Sequence, residues 1–192
     1  YETPVYRIGI DEREDYWRST GYLRSIKAAR KKCAALQVSV NGPGDAEWVI
    51  RSAGQKWSDG HVPADDASVD DKVDLADRLE RSGRFFTLVL RDGDRRLAGT
   101  TNIVDGDVGV AGTLYRDDSV GSLPTGVRII DEVLAYCARE GIAEFDFGGG
   151  YCYKARWGRP EGSRYELIMA PQLRYRARRS ITELARRGRK EP

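Results

Sequence analysis

Between Phe85 and Arg116 three β-prone runs are separated by two Asp-Gly-Asp triplets. The runs are FFTLVL at Phe85–Leu90, RRLAGTTNIV at Arg95–Val104 and VGVAGTLYR at Val108–Arg116. Asp-Gly between apolar runs is the strongest short-range hairpin signal, since glycine adopts the positive φ of a tight turn without steric cost. This segment therefore reads as three strands of an antiparallel meander, and the rest of the chain must fold around it.

After the meander and the loop DDSVGSLPTG, Val127–Glu140 reads as an amphipathic helix, with Ile130, Val133, Leu134, Cys137 and Ala138 on one stripe. Gly141 ends it. Ile142–Gly148 reads as a short, mostly buried strand, and Arg164–Met169 as another, broken by Pro171 and followed by a basic helix. Upstream, VYRIGI at Val5–Ile10 is β-prone, and a helix is predicted over Asp15–Ala35, where Trp17, Gly21, Ile26 and Cys33 interrupt a charged surface. Leu36–Val40 reads as a strand. Asn41–Asp45 reads as a turn ending in a cap at Asp45 for a helix over Ala46–Trp57. Val69–Arg81 reads as an acidic helix. The order gives an α/β (α+β) domain: a mixed sheet with an antiparallel meander and flanking helices.

The 192 residues fit one domain, 1–192, with a basic C-terminal helix. Charged residues make up 32% and hydrophobic residues 40%, which describes a well-solvated surface around a real core. Cys33, Cys137 and Cys152 form no CxxC pair, and His61 is the single histidine, so no metal site is expected. An odd cysteine count without a framework suits a reducing compartment, and a cytoplasmic location is expected. No apolar run reaches the length of a membrane span. The net charge is +2, unevenly spread. Arg24, Lys27, Arg30, Lys31 and Lys32 form one basic block. Arg174–Lys190, including Arg178 and Arg179, forms a second. Such blocks suit a polyanionic partner; solvated helix faces are the plainer reading of either block alone.

Two local motifs narrow the family. Phe145-Asp146-Phe147-Gly148-Gly149 is followed by Tyr153-Lys154-Ala155-Arg156-Trp157-Gly158. Together they resemble the DFGG…FKxxFG signature of Fem-type peptidyl transferases. They also resemble the related branch of the GNAT acyltransferase superfamily that includes cellulose-biosynthesis acetyltransferases. Thr20–Leu36 resembles the basic helix that precedes the catalytic half in those proteins. DFGG also occurs in kinases, but an HRD loop and a glycine-rich strand–turn–strand are lacking here. The resemblance implies a GNAT-like fold whose acyl donor sits where two neighbouring strands splay, at about Asp107–Tyr115 and Ala143–Phe147. The donor phosphates would lie at the start of the helix Val127–Glu140. Fem-like proteins usually carry two such units, and this chain has room for one plus the leading helix. The chain opens on Tyr1, and a first unit is either absent by nature or lies outside the sequence.

Amide formation from an activated ester or thioester needs a held donor, a neutral amine and positive charge where the oxyanion develops. It needs no protein nucleophile, in keeping with the lack of a Ser–His–Asp or Cys–His set. The resemblance implies Lys154 as oxyanion stabiliser. Tyr153 shapes the site or supplies a hydroxyl. Asp146 orients Lys154, takes the amine proton, or holds the glycine turn. Gly149, Arg156 and Trp157 are substrate-binding candidates, with Trp157 as core the alternative. Ser122, Thr125, Gly126 and Arg128 are donor-binding candidates at a helix start. Arg24, Lys27, Lys31, Arg178 and Arg179 are nucleic-acid candidates. SVGSLPTGVR lacks the Q/RxxGxG/A pyrophosphate loop of ordinary GNAT acetyltransferases. No permanent cofactor is expected, and the co-substrate is aminoacyl-tRNA or acyl-CoA. The leading reading is an aminoacyl transferase acting on an amine of a small molecule or peptide, in peptidoglycan or antibiotic synthesis. An acyl-CoA-dependent N-acetyltransferase and a non-catalytic RNA-binding module on the same scaffold are the alternatives.

Overall fold

A computed structural model describes residues 2–58, 66–149 and 152–165. The elements run β1 (Glu2–Gly9), α1 (Arg13–Ser19), α2 (Leu23–Lys32), β2 (Gln37–Val40), α3 (Asp45–Ser58), α4 (Asp66–Arg81), β3 (Phe85–Asp92), β4 (Arg95–Asp105), β5 (Val108–Arg116), α5 (Thr125–Arg139), β6 (Glu144–Gly149) and β7 (Arg159–Tyr165). The strands form one mixed sheet in the order β2-β3-β4-β5-β6-β1-β7. Among the described strands only β5 and β6 pair in parallel. Helix α5 makes that crossover, as a parallel connection requires.

The meander forms as its turns dictate, with Gly93 at φ 56° and Gly106 at φ 63°. β3 is buried on both faces from Phe85 to Leu90, which accounts for its unbroken apolar run. One face carries α5 and α2 over a core of Trp17, Ile26, Phe86, Leu88, Leu90, Ile129, Leu134 and Phe145. The other carries α3 and α4, with Ile50, Val69, Ala76 and Phe85 packed together. Each large side chain fully buried in this way contributes about 1.5–3 kcal/mol. Gly99 leaves room for α3: a Cβ there would sit 2.5 Å from the Val49 side chain.

Several sequence expectations shift. The single helix expected over Asp15–Ala35 is two helices, because Gly21 takes φ 73° and turns the chain between them. Asp45 is no exposed cap. It begins α3 with its carboxylate fully buried, accepting from Ser39 Oγ (2.8 Å), Arg96 Nε (2.9 Å) and Arg91. The α5 stripe is Ile129, Val133, Leu134 and Cys137; Ile130 is half-buried and Ala138 exposed. β1 lies between β6 and β7, antiparallel to both, with Ile8 opposite Phe145 and Tyr6 opposite Pro160. β7 starts at Arg159 rather than Arg164. The remainder of the Arg164–Met169 strand, the basic C-terminal helix and His61 lie outside the described residues.

Candidate active site

β5 and β6 pair over a short stretch, Val108 with Glu144, Gly109 with Phe145 and Val110 with Asp146. Beyond it they part. β5 continues along β4 to Arg116, and β6 continues along β1 to Gly149. A bulge lies in the neighbouring pairing of β5 with β4. Asn102 faces Ala111 and Thr100 faces Leu114, so β5 carries one extra residue against β4. The extra residue reverses the alternation, so Ala111 and Leu114 both face the gap. A cavity of about 270 Å³ occupies it, walled by Thr100, Asn102, Ala111, Gly112, Leu114, Phe145 and Phe147. Ile130 and Val133 of α5 cover it, and Gly148, Gly149, Tyr153 and Lys154 close one end. Gly112 is small of necessity, since a Cβ would lie 2.8 Å from the Thr101 carbonyl oxygen.

The second motif folds as a 3₁₀ turn, Cys152–Arg156, against the end of β6. Lys154 Nζ donates to the carbonyls of Phe147 (2.5 Å) and Gly149 (2.9 Å). Its ammonium is thereby fixed at the cavity wall. Gly148 takes φ 67°, and Nζ lies 3.7 Å from where its Cβ would stand. Asp146 alternates with Phe145 and Phe147 along β6 and, unlike them, is not part of the cavity wall. Its Oδ1 accepts from Gly148 N–H (2.6 Å) and its Oδ2 from Arg7 Nε (3.2 Å). Of the roles weighed for it, this geometry serves the glycine turn. Trp157, offered as a substrate contact, is instead 2% exposed. Its ring meets Trp17 edge-on at 5.9 Å and Tyr22 at 5.1 Å. Arg156 is exposed beside Tyr22, whose hydroxyl pKa is raised by burial against the lowering effect of Arg156. Tyr16 on α1 pins the turn from outside, its single hydroxyl proton shared between the carbonyls of Ala155 (2.5 Å) and Gly158 (2.9 Å).

At the start of α5, Pro124 occupies the cap position, without a side-chain cap or an acid in the first turn. Thr125 is fully buried, and its Oγ1 lacks a hydrogen-bond partner among the described residues. Ser122 is exposed and Gly126 half-buried. Arg128 is committed to acids, bonding Glu132 and standing 3.8 Å from Asp131. From α5 the cavity takes Ile130 and Val133, not Ser122, Thr125, Gly126 or Arg128. On the loop before α5, Asp117 is held down to about 2 by the hydrogen bonds from Ser119 and Arg95. Under α5, burial pushes the Cys137 thiol up to about 12, so it stays protonated and is no nucleophile.

Arg24, Lys27 and Lys31 are exposed on α2. Arg30 turns inward and grips Asp131 with two 2.8 Å bonds. Arg178 and Arg179 lie outside the described residues. Among the described residues no helix is long and apolar enough to cross a membrane, and no group of His, Cys, Asp and Glu is placed to hold a metal ion. Sequence reasoning missed Thr100, Asn102, Tyr16 and Arg7. For the first two a signal existed: the polar triplet Thr100-Thr101-Asn102 inside an otherwise buried strand.

A family model described as an acetyltransferase (GNAT) domain matches residues 21–157. No curated protein matches the chain. Among solved structures, FemX is similar with a TM-score of 0.58 and 10% identity, over 90% of this chain and 56% of that one. The C-terminal domain of a putative lysylphosphatidylglycerol synthetase from Agrobacterium fabrum is similar with a TM-score of 0.57 and 10% identity, over 85% of this chain and 59% of that one. An aminoglycoside acetyltransferase from an uncultured soil metagenomic sample, in complex with sisomicin, has a TM-score of 0.52 and 15% identity, over 73% of this chain and 97% of that one. Likeness at these identities is one of fold. The chain spans just over half the length of the FemX chain and of the synthetase domain.

Proposed function

The chain belongs to the acetyltransferase (GNAT) family, and from that premise we propose that it forms an amide bond by moving an aminoacyl group from aminoacyl-tRNA to the amine of a small molecule or peptide. The observation that carries the reading is the cavity at the divergence of β5 and β6, with the Lys154 ammonium fixed in its wall. An acyl group held there has its carbonyl beside a positive charge in a site partly enclosed by α5 and the sheet, where electrostatic stabilisation is stronger than in open water. The neutral amine attacks the acyl carbon, the ester C–O bond breaks, and the departing ribose oxygen takes up the proton that the amine gives up. Lys154 stabilises the intermediate oxyanion. Asp146, outside the cavity wall, keeps the Gly148 N–H and the turn in place.

The choice of donor rests on charge. Arg30 and Arg128 are balanced by Asp131 and Glu132, so that side-chain cluster adds no net positive charge for a pyrophosphate. Exposed Arg24, Lys27 and Lys31 offer an RNA backbone a basic face. A second reading, acyl-CoA as donor, is favoured by the uncapped N-terminus of α5, whose backbone N–H groups suit phosphate.

The test is transfer of label from charged tRNA, and separately from acetyl-CoA, to a panel of amines, with wild type and Lys154→Met compared. Label leaving tRNA, with kcat reduced about 10²-fold or more in the variant at an unchanged melting temperature, is the expected result. Label leaving only acetyl-CoA establishes the second reading in place of the first. Transfer from neither overturns both and returns the chain to a binding role.

A further inference from the structure

The cavity is not uniformly apolar. Its floor on β4 carries Thr100, 5% exposed, and Asn102, 1% exposed, side by side on the face that meets α5. Their internal hydrogen bonds are long. Thr100 Oγ1 stands 3.4 Å from Asn102 Oδ1 and 3.4 Å from the Thr101 carbonyl, and Asn102 Nδ2 stands 3.5 Å from the Phe86 carbonyl. Each is at the outer limit of a hydrogen bond. Their neighbour Thr101, on the opposite face, shows what a structural polar group looks like in this sheet: its Oγ1 accepts from Thr113 N–H at 2.9 Å. Burying a carboxamide and a hydroxyl with such poor partners costs stability, and an apolar pair would pack against Phe86 and Ala111 without that cost.

We propose that Asn102 and Thr100 select the transferred acyl group, reading an amino group on the carbon next to its carbonyl. This rests on the reading of the cavity as the acyl site. Asn102 Oδ1 and Thr100 Oγ1 are both acceptors, suited to an amine's N–H groups, and a plain alkanoyl chain would leave them buried and poorly paired. The cavity volume of about 270 Å³ lies near the lower end for small-molecule sites and suits a short acyl group. Selection changes no step of the chemistry: the acyl–oxygen or acyl–sulfur bond breaks and the amide forms as before.

The experiment compares alanyl with propionyl, groups with the same carbon skeleton that differ by the amino group. Each is carried once as an ester on the same RNA and once as a CoA thioester, so carrier and acyl group vary independently. On whichever carrier is used, alanyl is expected to exceed propionyl by at least about tenfold in kcat/KM, and the ratio to fall toward one in Asn102→Leu and in Thr100→Val. The Thr100 change is nearly isosteric and keeps the test valid if Asn102→Leu does not fold. Equal transfer of the two groups by wild type, or a ratio that survives both substitutions, overturns this inference and leaves the transferase reading standing. Transfer of neither group from either carrier overturns that reading and this inference with it.

Discussion

Gly158 shows how closely the second motif is fitted. A Cβ at this position would lie 2.5 Å from the carbonyl oxygen of Arg7 and 2.8 Å from its carbon. Both are backbone atoms, in a strand paired on each side, so neither can step aside cheaply. The final glycine of YKARWG is therefore a packing requirement that lets the turn lie on β1. Gly158→Ala is expected to destabilise the fold by roughly 1–3 kcal/mol, measured by urea denaturation. A change below 0.5 kcal/mol would mean that β1 yields more readily than its pairing implies. Trp157 beside it has the same kind of explanation. The motif made it a substrate candidate, but its ring lies among Trp17, Tyr22 and Phe147, and it serves the site by fixing the turn that carries Lys154.

Among the elements, α2 and α5 are joined by the ion pair of Arg30 and Asp131. Asp131 is 4% exposed and Arg30 39%. Removing Arg30 leaves a nearly buried carboxylate with Arg128 as its nearest cation, at 3.8 Å. A fully buried pair broken on one side costs about 3–5 kcal/mol, but Arg30 keeps contact with water, so the expected cost of Arg30→Met is about 1–2 kcal/mol. Chemical denaturation of the single variant and of Arg30→Met with Asp131→Leu checks this. The double variant is expected to recover part of the loss, because no charge then stays buried alone. If it is less stable than the single variant, α2 is held by something other than this pair. Counting charges along α2 put Arg30 in a basic block; geometry separates it from the exposed Arg24, Lys27 and Lys31.

For the whole molecule, the placement of β1 matters most. It is the first of the described strands, yet it sits between the last two of them, pairing with β6 on one side and β7 on the other. It gives Tyr6 and Ile8 to the core and backs the turn that carries Lys154. Deleting residues 2–9 removes these contacts, about 3–6 kcal/mol from the two side chains alone, a large part of a typical domain's stability. The truncated chain is expected to lose its cooperative urea transition and to bind a hydrophobic dye through the uncovered Phe147 and Trp157. A truncated chain that unfolds cooperatively at an unchanged midpoint would show that the cavity half stands without β1.

Local chemistry settled a good part of this protein in advance. The two Asp-Gly-Asp turns set the meander, since they decide backbone conformation without help from distant residues. The 3.6-residue periodicity placed α5, and the DFGG and YKARWG motifs marked the strand end and turn that meet the cavity. The strand divergence at β5 and β6 was expected from resemblance, and the sheet carries it. What tertiary structure decided were pairings between residues far apart in the chain. Asp146 meets Arg7, Tyr16 meets the carbonyls of Ala155 and Gly158, and Arg30 meets Asp131. The bulge that turns both Ala111 and Leu114 toward the cavity, beside Thr100 and Asn102 of its floor, is of the same kind. Register and long-range ion pairs depend on how the strands assemble, and no window of sequence contains both partners.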